Sequence, residues 1–159
     1  MKKQKLVALL EENSRLTLEQ LAAAADLSVE EVSDSLDELE HSGIIRGYRA
    51  IVDHKKLGDE FITSLIELKV TPKKDYGFEE IAKTIMDFPE VESVYLMSGG
   101  FDLAVTVSGK NFTEVATFVS HRLAPLDSVV STATHFVLRK YKENGVSMLD
   151  PEQDERGKA

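Results

Sequence analysis

Apolar side chains in the first 43 residues recur at helical spacing in three blocks. Thr17 and Ser28 precede the second and third blocks, and each is followed three residues later by Gln or Glu, the pattern of a capping box. Asp26 is of a type that tolerates a left-handed backbone, and Gly43 stands where a glycine C-cap belongs. This pattern predicts three short helices, the second and third joined by a tight turn, which is the helix-turn-helix plan. The apolar positions are Leu6, Leu9, Leu10, Leu18, Leu21, Ala22, Ala25, Val29, Val32, Leu36 and Leu39.

From residue 44 the pattern changes to β-rich runs interrupted by two further helical stripes. Residues 44–52 predict a short strand or wing, and residues 53–60 predict a linker. The elements beyond follow in the order β-α-β-β-α-β, the ferredoxin-like arrangement. We therefore predict an α+β protein with an N-terminal winged helix-turn-helix domain and a ferredoxin-like domain. The predicted strands cover 61–70, 91–97, the residues around 103–107, and 129–138, and the predicted helices cover 76–88 and 112–123.

These elements divide the chain into a helix-turn-helix domain (1–52), the linker, a ferredoxin-like domain (61–143) and a polar tail (144–159). We expect the tail to be frayed or disordered. In the last predicted strand, apolar residues occur on both faces, which implies that the helix-free face of the sheet is covered, most simply by a second copy. We therefore predict an obligate homodimer. One face carries Val130, Thr132, Thr134, Phe136 and Leu138, and the other carries Val129, Ala133 and Val137.

Composition narrows the classes of protein. The 159 residues contain no Cys, which excludes disulfides, thiolate zinc sites and Cys nucleophiles, and the four His show no ligand spacing. We predict neither a cofactor nor a metal. No apolar run approaches the roughly 18 residues of a membrane span, and the start lacks the cleavage site of a signal peptide, so we expect a soluble cytoplasmic protein. The net charge of −9 disfavours binding to an anionic membrane.

Two short stretches resemble a known family. Residues 39–48 read Leu-Glu-His-Ser-Gly-Ile-Ile-Arg-Gly-Tyr, and residues 98–102 read Ser-Gly-Gly-Phe-Asp. With the element order, they resemble the Lrp/AsnC (feast/famine) transcription regulators over roughly residues 3–143. The resemblance implies that the N-terminal domain binds operator DNA. It also implies that the C-terminal domain assembles dimers, and often tetramers or octamers, and senses a small effector, usually an amino acid, at a subunit interface.

The chain departs from the family pattern mainly in its third helix. Ser35 stands where the family usually has Arg, and residues 28–42 contain six acidic residues and no Lys or Arg. Acids near phosphate repel DNA, where binding usually gains from released counterions. Residues 1–60 carry eight basic and thirteen acidic side chains, although a DNA-binding domain is normally basic. In the second stretch Gly100 replaces the first Asp of the family's turn, and the chain also lacks most of the family's Leu-Asp lead-in. The acids of the helix are Glu30, Glu31, Asp34, Asp37, Glu38 and Glu40.

Candidate site residues follow from these stretches. Cations near the helices and the wing could hold DNA phosphates, and the alternative is that they are ordinary solvated charges. The N–H groups of two glycines in the 98–102 turn could approach a carboxylate, an acid there could pair with an ammonium group, and hydroxyls of the last strand could add contacts. The alternative is a plain hairpin with Asp102 as a turn cap. The DNA-binding candidates are Lys2, Lys3, Ser28, Ser33, Arg46, Arg49 and Lys55, and the effector-binding candidates are Gly99, Gly100, Asp102, Thr132 and Thr134.

Three other functions compete with a DNA-binding regulator. A small three-helix bundle serves many purposes, and an effector-sensing oligomer with weak or no specific DNA binding would explain the acidic helix, which could meet a basic partner surface. Some relatives of the family are tetrapyrrole decarboxylases with a degenerate helix-turn-helix. Their His-Asn-Tyr turn and Asn-x-Trp strand are absent here, where residues 94–96 read Val-Tyr-Leu and the chain has no Trp. We therefore predict a regulator rather than an enzyme.

Overall fold

The computed structural model describes residues 2–59, 61–71 and 77–150. The chain folds into two compact units, residues 1–50 and 51–159. Residues 151–159 of the predicted polar tail lie outside the described residues, as do Glu60 and the start of the predicted helix at Tyr76.

The first unit is a helix-turn-helix. It contains α1 (Lys2–Glu12), α2 (Leu18–Ala25) and α3 (Val29–His41). Both predicted capping boxes form, and Asp26 ends α2 in the left-handed conformation with φ 59° and ψ 52°. Side chains from all three helices meet in one small core, whose buried members are Leu6, Leu21, Ala22 and Val32. Val29 does not belong to this core, contrary to the predicted stripe, because it is the first residue of α3 and 41% of it is exposed.

The strand or wing predicted over residues 44–52 does not form, and the segment is irregular. Gly43 adopts a left-handed φ of 71°, and the N–H groups of Ile44 and Ile45 both donate to the Leu39 carbonyl at 3.0 Å. These bonds satisfy the end of α3, as expected for a glycine-terminated helix. The segment has a β-rich composition, but no strand among the described residues of the first unit lies beside it. A single strand without a partner is not stable.

The second unit confirms the predicted β-α-β-β-α-β order. Its sheet is antiparallel with strand order β2-β3-β1-β4, and α5 continues into a π-helical turn at Val119–Leu123. The elements are β1 (Ile62–Val70), α4 (Phe78–Met86), β2 (Val91–Leu96), β3 (Leu103–Gly109), α5 (Phe112–Phe118) and β4 (Val129–Phe136).

Part of the predicted tail is ordered. Residues 142–143 (β5, Lys142–Glu143) and 146–147 (β6, Val146–Ser147) form a two-stranded hairpin. Its turn is Asn144-Gly145, with φ values of 44° and 87°. Asn-Gly is the strongest short hairpin signal because both turn positions require positive φ. The expectation of a frayed tail was therefore wrong for residues 144–150.

One face of the sheet packs on α4 and α5 and holds the core. Alternate residues of β1 and β3 lie there, and antiparallel pairing places partners on the same face. Gly109 permits close packing, since a Cβ built on it would lie 2.9 Å from Cγ2 of Val115. The most deeply buried members are Ile66, Leu68, Ile85, Leu103, Val105, Val107, Val115 and Leu123.

The helix-free face is less apolar than the sequence suggested. The register between β1 and β4 shifts at Val70, which pairs with Val129, while Lys69 pairs with Ser131. This bulge exchanges the faces expected for the two valines. Val129 joins the core with Thr132, Thr134 and Phe136, and Val130 is exposed. The helix-free face instead carries Leu65, Glu67, Lys69, Tyr95, Ala104, Thr106, Ala133 and His135.

Candidate DNA-binding and effector-binding sites

The exposed side of α3 carries a stripe of acids. Glu30, Asp34 and Asp37 recur at i, i+4 and i+7, so they lie on one side of the helix, and all three are exposed. Within the described residues no ion pair reaches any of them. The second helix of a helix-turn-helix is the one that normally enters the major groove. This stripe therefore presents negative charge where base edges are usually read.

The other acids of α3 have partners within the first unit. Lys2 Nζ lies 3.0 Å from Glu31 Oε1, and Lys3 Nζ pairs with Glu38 Oε1. Both lysines come from the first turn of α1. The Tyr48 hydroxyl donates to Glu40 Oε1 at 2.8 Å, and partial burial together with this bond raises the pKa of Tyr48. Three of the six acidic residues on α3 thus have a partner within the protein.

Glu31 is the most firmly held of these acids. Its Oε2 accepts the Ser28 N–H at 2.9 Å, and its own N–H donates to Ser28 Oγ at 3.1 Å. The Ser28 N–H and then Lys2 hold the pKa of Glu31 below its ordinary value of 4.5. The Ser28 hydroxyl, a candidate DNA contact, is therefore committed to capping α3. Ser33, the other candidate hydroxyl, lies half-buried on the same helix.

The remaining cationic candidates lie outside the helices. Arg46 packs over the end of α3, where a Cβ on Gly43 would come within 3.1 Å of its guanidinium carbon, and Arg49 is exposed three residues later. Lys55 belongs to the second unit, in a turn where its N–H donates to Asp53 Oδ1 at 3.1 Å. The candidates therefore lie at different parts of α3, since Ser28 caps its start, Lys2 and Lys3 pair with two of its acids, and Arg46 packs over its end.

The effector candidates centre on the turn between β2 and β3. Asp102 closes this turn, because Met97 N–H donates to its carbonyl at 2.8 Å and its own N–H donates to the Leu68 carbonyl at 2.9 Å. Its carboxylate Oδ2 accepts the Val70 N–H at 2.9 Å. One carboxylate oxygen of Asp102 therefore fastens the end of β1 to the turn, as expected for a turn cap.

The glycines of the turn face open space. Gly99 has φ 140°, where a side chain is strained, and a Cβ on Gly99 or Gly100 would meet no atom within 4 Å. Leu96 and Met97, just before the turn, are large exposed apolar residues. Backbone N–H groups and apolar surface thus occur together at this end of the sheet.

The two threonines lie differently from the prediction. Thr132 and Thr134 are half-buried on the helix-covered face, opposite Leu68 and Ile66. Thr132 is two strands from the start of β3, about 10 Å away, and Thr134 lies about 7 Å further along β4, in the direction that leads away from the turn. The structure therefore brings Gly99, Gly100 and Asp102 together, with Thr132 at the same end of the sheet, and leaves Thr134 in mid-strand.

Sequence reasoning missed a groove of about 580 Å³ beside α5. Arg122 Nη1 donates to Glu90 Oε1 at 2.5 Å, and the guanidinium lies 4.4 Å from the ring centroid of Phe88. Glu90 Oε2 is buried without a hydrogen-bond partner among the described residues. No sequence pattern links these residues, since Glu90 and Arg122 lie 32 positions apart. The groove is lined by Glu90, Asn111, Thr113, Glu114, Thr117, Phe118, His121 and Arg122.

The described residues also bear on metal binding and on membrane insertion. They contain no group of three or more His, Asp or Glu side chains arranged to hold a metal ion. Among them, no helix has the length and apolar character needed to cross a membrane.

Family profiles match both units. A profile of winged helix-turn-helix DNA-binding domains matches residues 2–46, and one of the Lrp/AsnC ligand binding domain matches residues 63–147. The chain is 47% identical to the uncharacterized HTH-type transcriptional regulator YugG of Bacillus subtilis, over 98% of this chain and 94% of that protein. It is 28% identical to the proline dehydrogenase transcriptional activator of Rhizobium radiobacter, over 89% of this chain and 90% of that protein.

Solved structures share the fold. The transcriptional regulator NMB0573 from Neisseria meningitidis, crystallised as a complex with L-Met, superposes with a TM-score of 0.73 at 25% identity, over 96% of both chains. The structure of B. subtilis LrpC gives a TM-score of 0.66 at 24% identity, over 89% of this chain and 96% of that one. Because both units match profiles of this family's domains and the whole chain is similar to an HTH-type regulator, the chain belongs to the Lrp/AsnC family of HTH-type transcriptional regulators.

Proposed function

We propose that the protein binds double-stranded operator DNA through its first unit and an amino-acid-like effector through its second, as a homo-oligomer in the cytoplasm. The observation that carries the proposal is the capped α2–turn–α3 arrangement, with α3 exposed along its length on one side. This is the geometry in which a second helix can enter the major groove.

Phosphate contacts from residues that flank α3 would supply most of the affinity for DNA. Arg46 and Arg49 follow the helix and are exposed, so they can reach the DNA backbone without insertion of α3. Phosphate contacts position a protein but do not read sequence. The acids of α3 offer few donors to base edges, although a carboxylate can accept a hydrogen bond from cytosine. Affinity per subunit should therefore be modest, and useful binding would come from several linked domains on one DNA.

A mobility shift with the DNA upstream of the protein's own gene, repeated over a salt series, tests DNA binding. We expect a shifted complex whose affinity falls with salt, because lysines and arginines displace condensed counterions. The dependence should be shallow per dimer, since few phosphates are neutralised. A scrambled duplex of equal length is the control. No complex with either duplex at low salt would contradict the proposal.

We propose the 98–102 turn as the effector site. The space around Gly99 and Gly100 would let a carboxylate approach their backbone N–H groups, and the exposed Leu96 and Met97 suit an apolar side chain. The L-Met complex of the Neisseria relative supports an amino acid as the ligand class. Asp102 would contribute through its hold on the turn and through charge, Thr132 would stand at the margin, and Thr134 would lie furthest from the ligand.

A thermal-shift screen of the twenty amino acids tests the effector proposal. We expect at least one to raise the melting temperature, because a ligand that binds only the folded state stabilises it. Gly100→Asp, which restores the family's acid at an open position, should change the order of preference among them. Ligands that bind equally well to wild type and to Gly99→Val would show that the site lies elsewhere.

We also propose that the helix-free sheet face binds a second copy. Leu65, Tyr95 and Val137 are exposed there or at its margin beside small residues, which allow two sheets to approach closely. Such an interface should bury more than about 1,000 Å². Light scattering should give twice the monomer mass, and Ala133→Arg should shift it towards the monomer. A wild-type monomer at micromolar concentration would contradict this proposal.

The second candidate is an effector-sensing oligomer whose first unit contacts a basic protein surface instead of DNA. The acids Glu30, Asp34 and Asp37, which form no ion pair with the residues that the structure describes, favour it. The same mobility shift separates the two functions, because only the regulator retards its own upstream DNA.

A further inference from the structure

The first turn of α1 lies against the acidic side of α3. Lys2 and Lys3 are adjacent in sequence, yet they reach acids seven residues apart on α3. Seven residues correspond to about 10.5 Å along a helix and almost two full turns, so Glu31 and Glu38 lie on one side of α3. The two lysines therefore cover one edge of the helix, while Glu30, Asp34 and Asp37 occupy another.

We propose that Lys2 and Lys3 serve DNA binding as counterions of Glu31 and Glu38, and that they stay on these acids rather than moving to DNA phosphates. The proposal rests on the proposed DNA-binding function and assigns these two lysines an indirect role in it. Lys2 and Lys3 are then positioning residues for α3, and the phosphate contacts belong to cations such as Arg46 and Arg49.

Electrostatics favour this arrangement. A lysine within hydrogen-bond distance of a carboxylate forms a dipole, whose field falls off faster than that of a single charge. At physiological salt the screening length is about 8 Å, so a paired acid exerts little repulsion on a DNA phosphate that lies beyond this distance. If the lysine moved to that phosphate, an uncompensated acid would be left at the DNA surface.

The Glu31 side chain cannot rotate away from the DNA-facing side of α3, so its charge needs a counterion there. Its Oε2 is fixed by the Ser28 N–H in the capping box, and its Oε1 faces Lys2. Loss of Lys2 would leave a fixed negative charge at the N-terminal end of α3, the end that usually contacts base edges. The geometry thus makes Lys2 the counterion of a carboxylate that serves the helix cap.

Salt dependence of DNA binding distinguishes a counterion from a phosphate ligand. Lys2→Gln with Lys3→Gln should weaken binding to any duplex by about two- to tenfold, from Coulomb repulsion at the screened distances involved. Adding Glu31→Gln and Glu38→Gln, which retain the capping-box geometry, should restore affinity to within about twofold of wild type. The slope of log K against log salt should be the same in this fourfold variant as in wild type. If the lysines contact phosphates, the slope becomes shallower by about 0.9 for each lost contact, or about 1.8, and the proposal is wrong.

A titration without DNA separates this proposal from the proposed function. In the free protein, NMR should show the pKa of Glu31 rising in Lys2→Gln, though only partly, because the Ser28 N–H still favours the carboxylate. Lys83→Gln, an equal charge change in the second unit, should leave it unmoved. An unchanged Glu31 pKa in Lys2→Gln would overturn the counterion role whatever the protein does with DNA. A wild-type protein that binds no DNA would overturn the proposed function alone.

Discussion

Acidic residues play opposite parts at the two candidate sites. On α3 they project from an exposed helix, and the two that form ion pairs, Glu31 and Glu38, contact exposed lysine side chains. At the 98–102 turn, Asp102 is half-buried and its carboxylate accepts a backbone N–H of β1. Exposed ion pairs contribute little to stability, whereas a hydrogen bond from a backbone group to a charge contributes more. The acids of the exposed stripe, Glu30, Asp34 and Asp37, therefore contribute charge, while Asp102 holds structure, as Glu31 does in its capping box.

Removal of Asp102 should have the largest effect on folding. Asp102→Ala leaves the Val70 N–H without its acceptor, and we expect the free energy of unfolding to fall by about 1.5–3 kcal/mol. Asp34→Ala on α3 is the matched control and should change it by less than about 0.5 kcal/mol. Denaturant unfolding measures both, and hydrogen exchange at the Val70 amide reports the lost bond directly. Equal free energies of unfolding for the two variants would contradict the different roles assigned to Asp102 and to the acids of α3.

The two glycines of the turn should differ from each other. Gly99→Ala forces a side chain onto a φ of 140° and should lower stability by about 1–2 kcal/mol. Gly100→Ala meets open space without a positive φ and should be nearly neutral. Thermal unfolding of both variants decides the matter. A strongly destabilising Gly100→Ala would show that close packing, not backbone conformation, sets the turn.

Neutralising the acidic stripe of α3 should strengthen DNA binding without affecting the fold. Asp34→Asn with Asp37→Asn removes two charges that face outward, and we expect non-specific affinity to rise by about tenfold. Glu79→Gln with Glu80→Gln in α4 is the charge-matched control. Fluorescence anisotropy with operator and scrambled duplexes measures the change. If operator recognition is lost while affinity for the scrambled duplex stays the same, the acids read bases, and the contrast between the acids of α3 and Asp102 of the turn is wrong.

The smallest effect concerns pH. The folded pKa of Glu31 lies below its unfolded value, so ionised Glu31 stabilises the native state above about pH 4.5, and this contribution is lost as pH falls through the lowered folded pKa. Helix content of the first unit should accordingly decrease in that acidic range. Far-UV circular dichroism of wild type and Glu31→Gln should diverge above pH 4.5 and converge below. Parallel curves throughout would contradict the assigned partners.

Local sequence signals specified most of the architecture. The Thr17 and Ser28 capping boxes and the left-handed Asp26 are each encoded within a few residues, and the β-α-β-β-α-β order follows from the periodicity of successive segments. All of them form. The missing wing and the exchanged faces of Val129 and Val130 depend on what a segment pairs with, which no short pattern contains. The hairpin at Asn144-Gly145 also has a local signal, which the polar residues around it obscure.

The candidate sites were less predictable than the fold. Glycines and Asp102 could be located on the turn, but the bond from Val70 joins residues 32 apart in sequence. The ion pairs of Lys2 and Lys3 likewise depend on how α1 packs against α3. Side-chain partners set by tertiary packing therefore decided whether each predicted residue is available to a ligand.

The central claim is that phosphate contacts of the arginines beside α3, rather than base contacts of α3, supply most of the affinity for DNA. It is tested most directly by fluorescence anisotropy of Arg46→Ala with Arg49→Ala on the upstream duplex and on a scrambled one, against Lys83→Ala with Lys110→Ala in the second unit. We expect the arginine variant to lose affinity for both duplexes to about the same extent, with a shallower slope of log K against log salt. The lysine variant should bind like wild type. An arginine variant that loses only its preference for the upstream duplex, or that binds like wild type, would contradict the account.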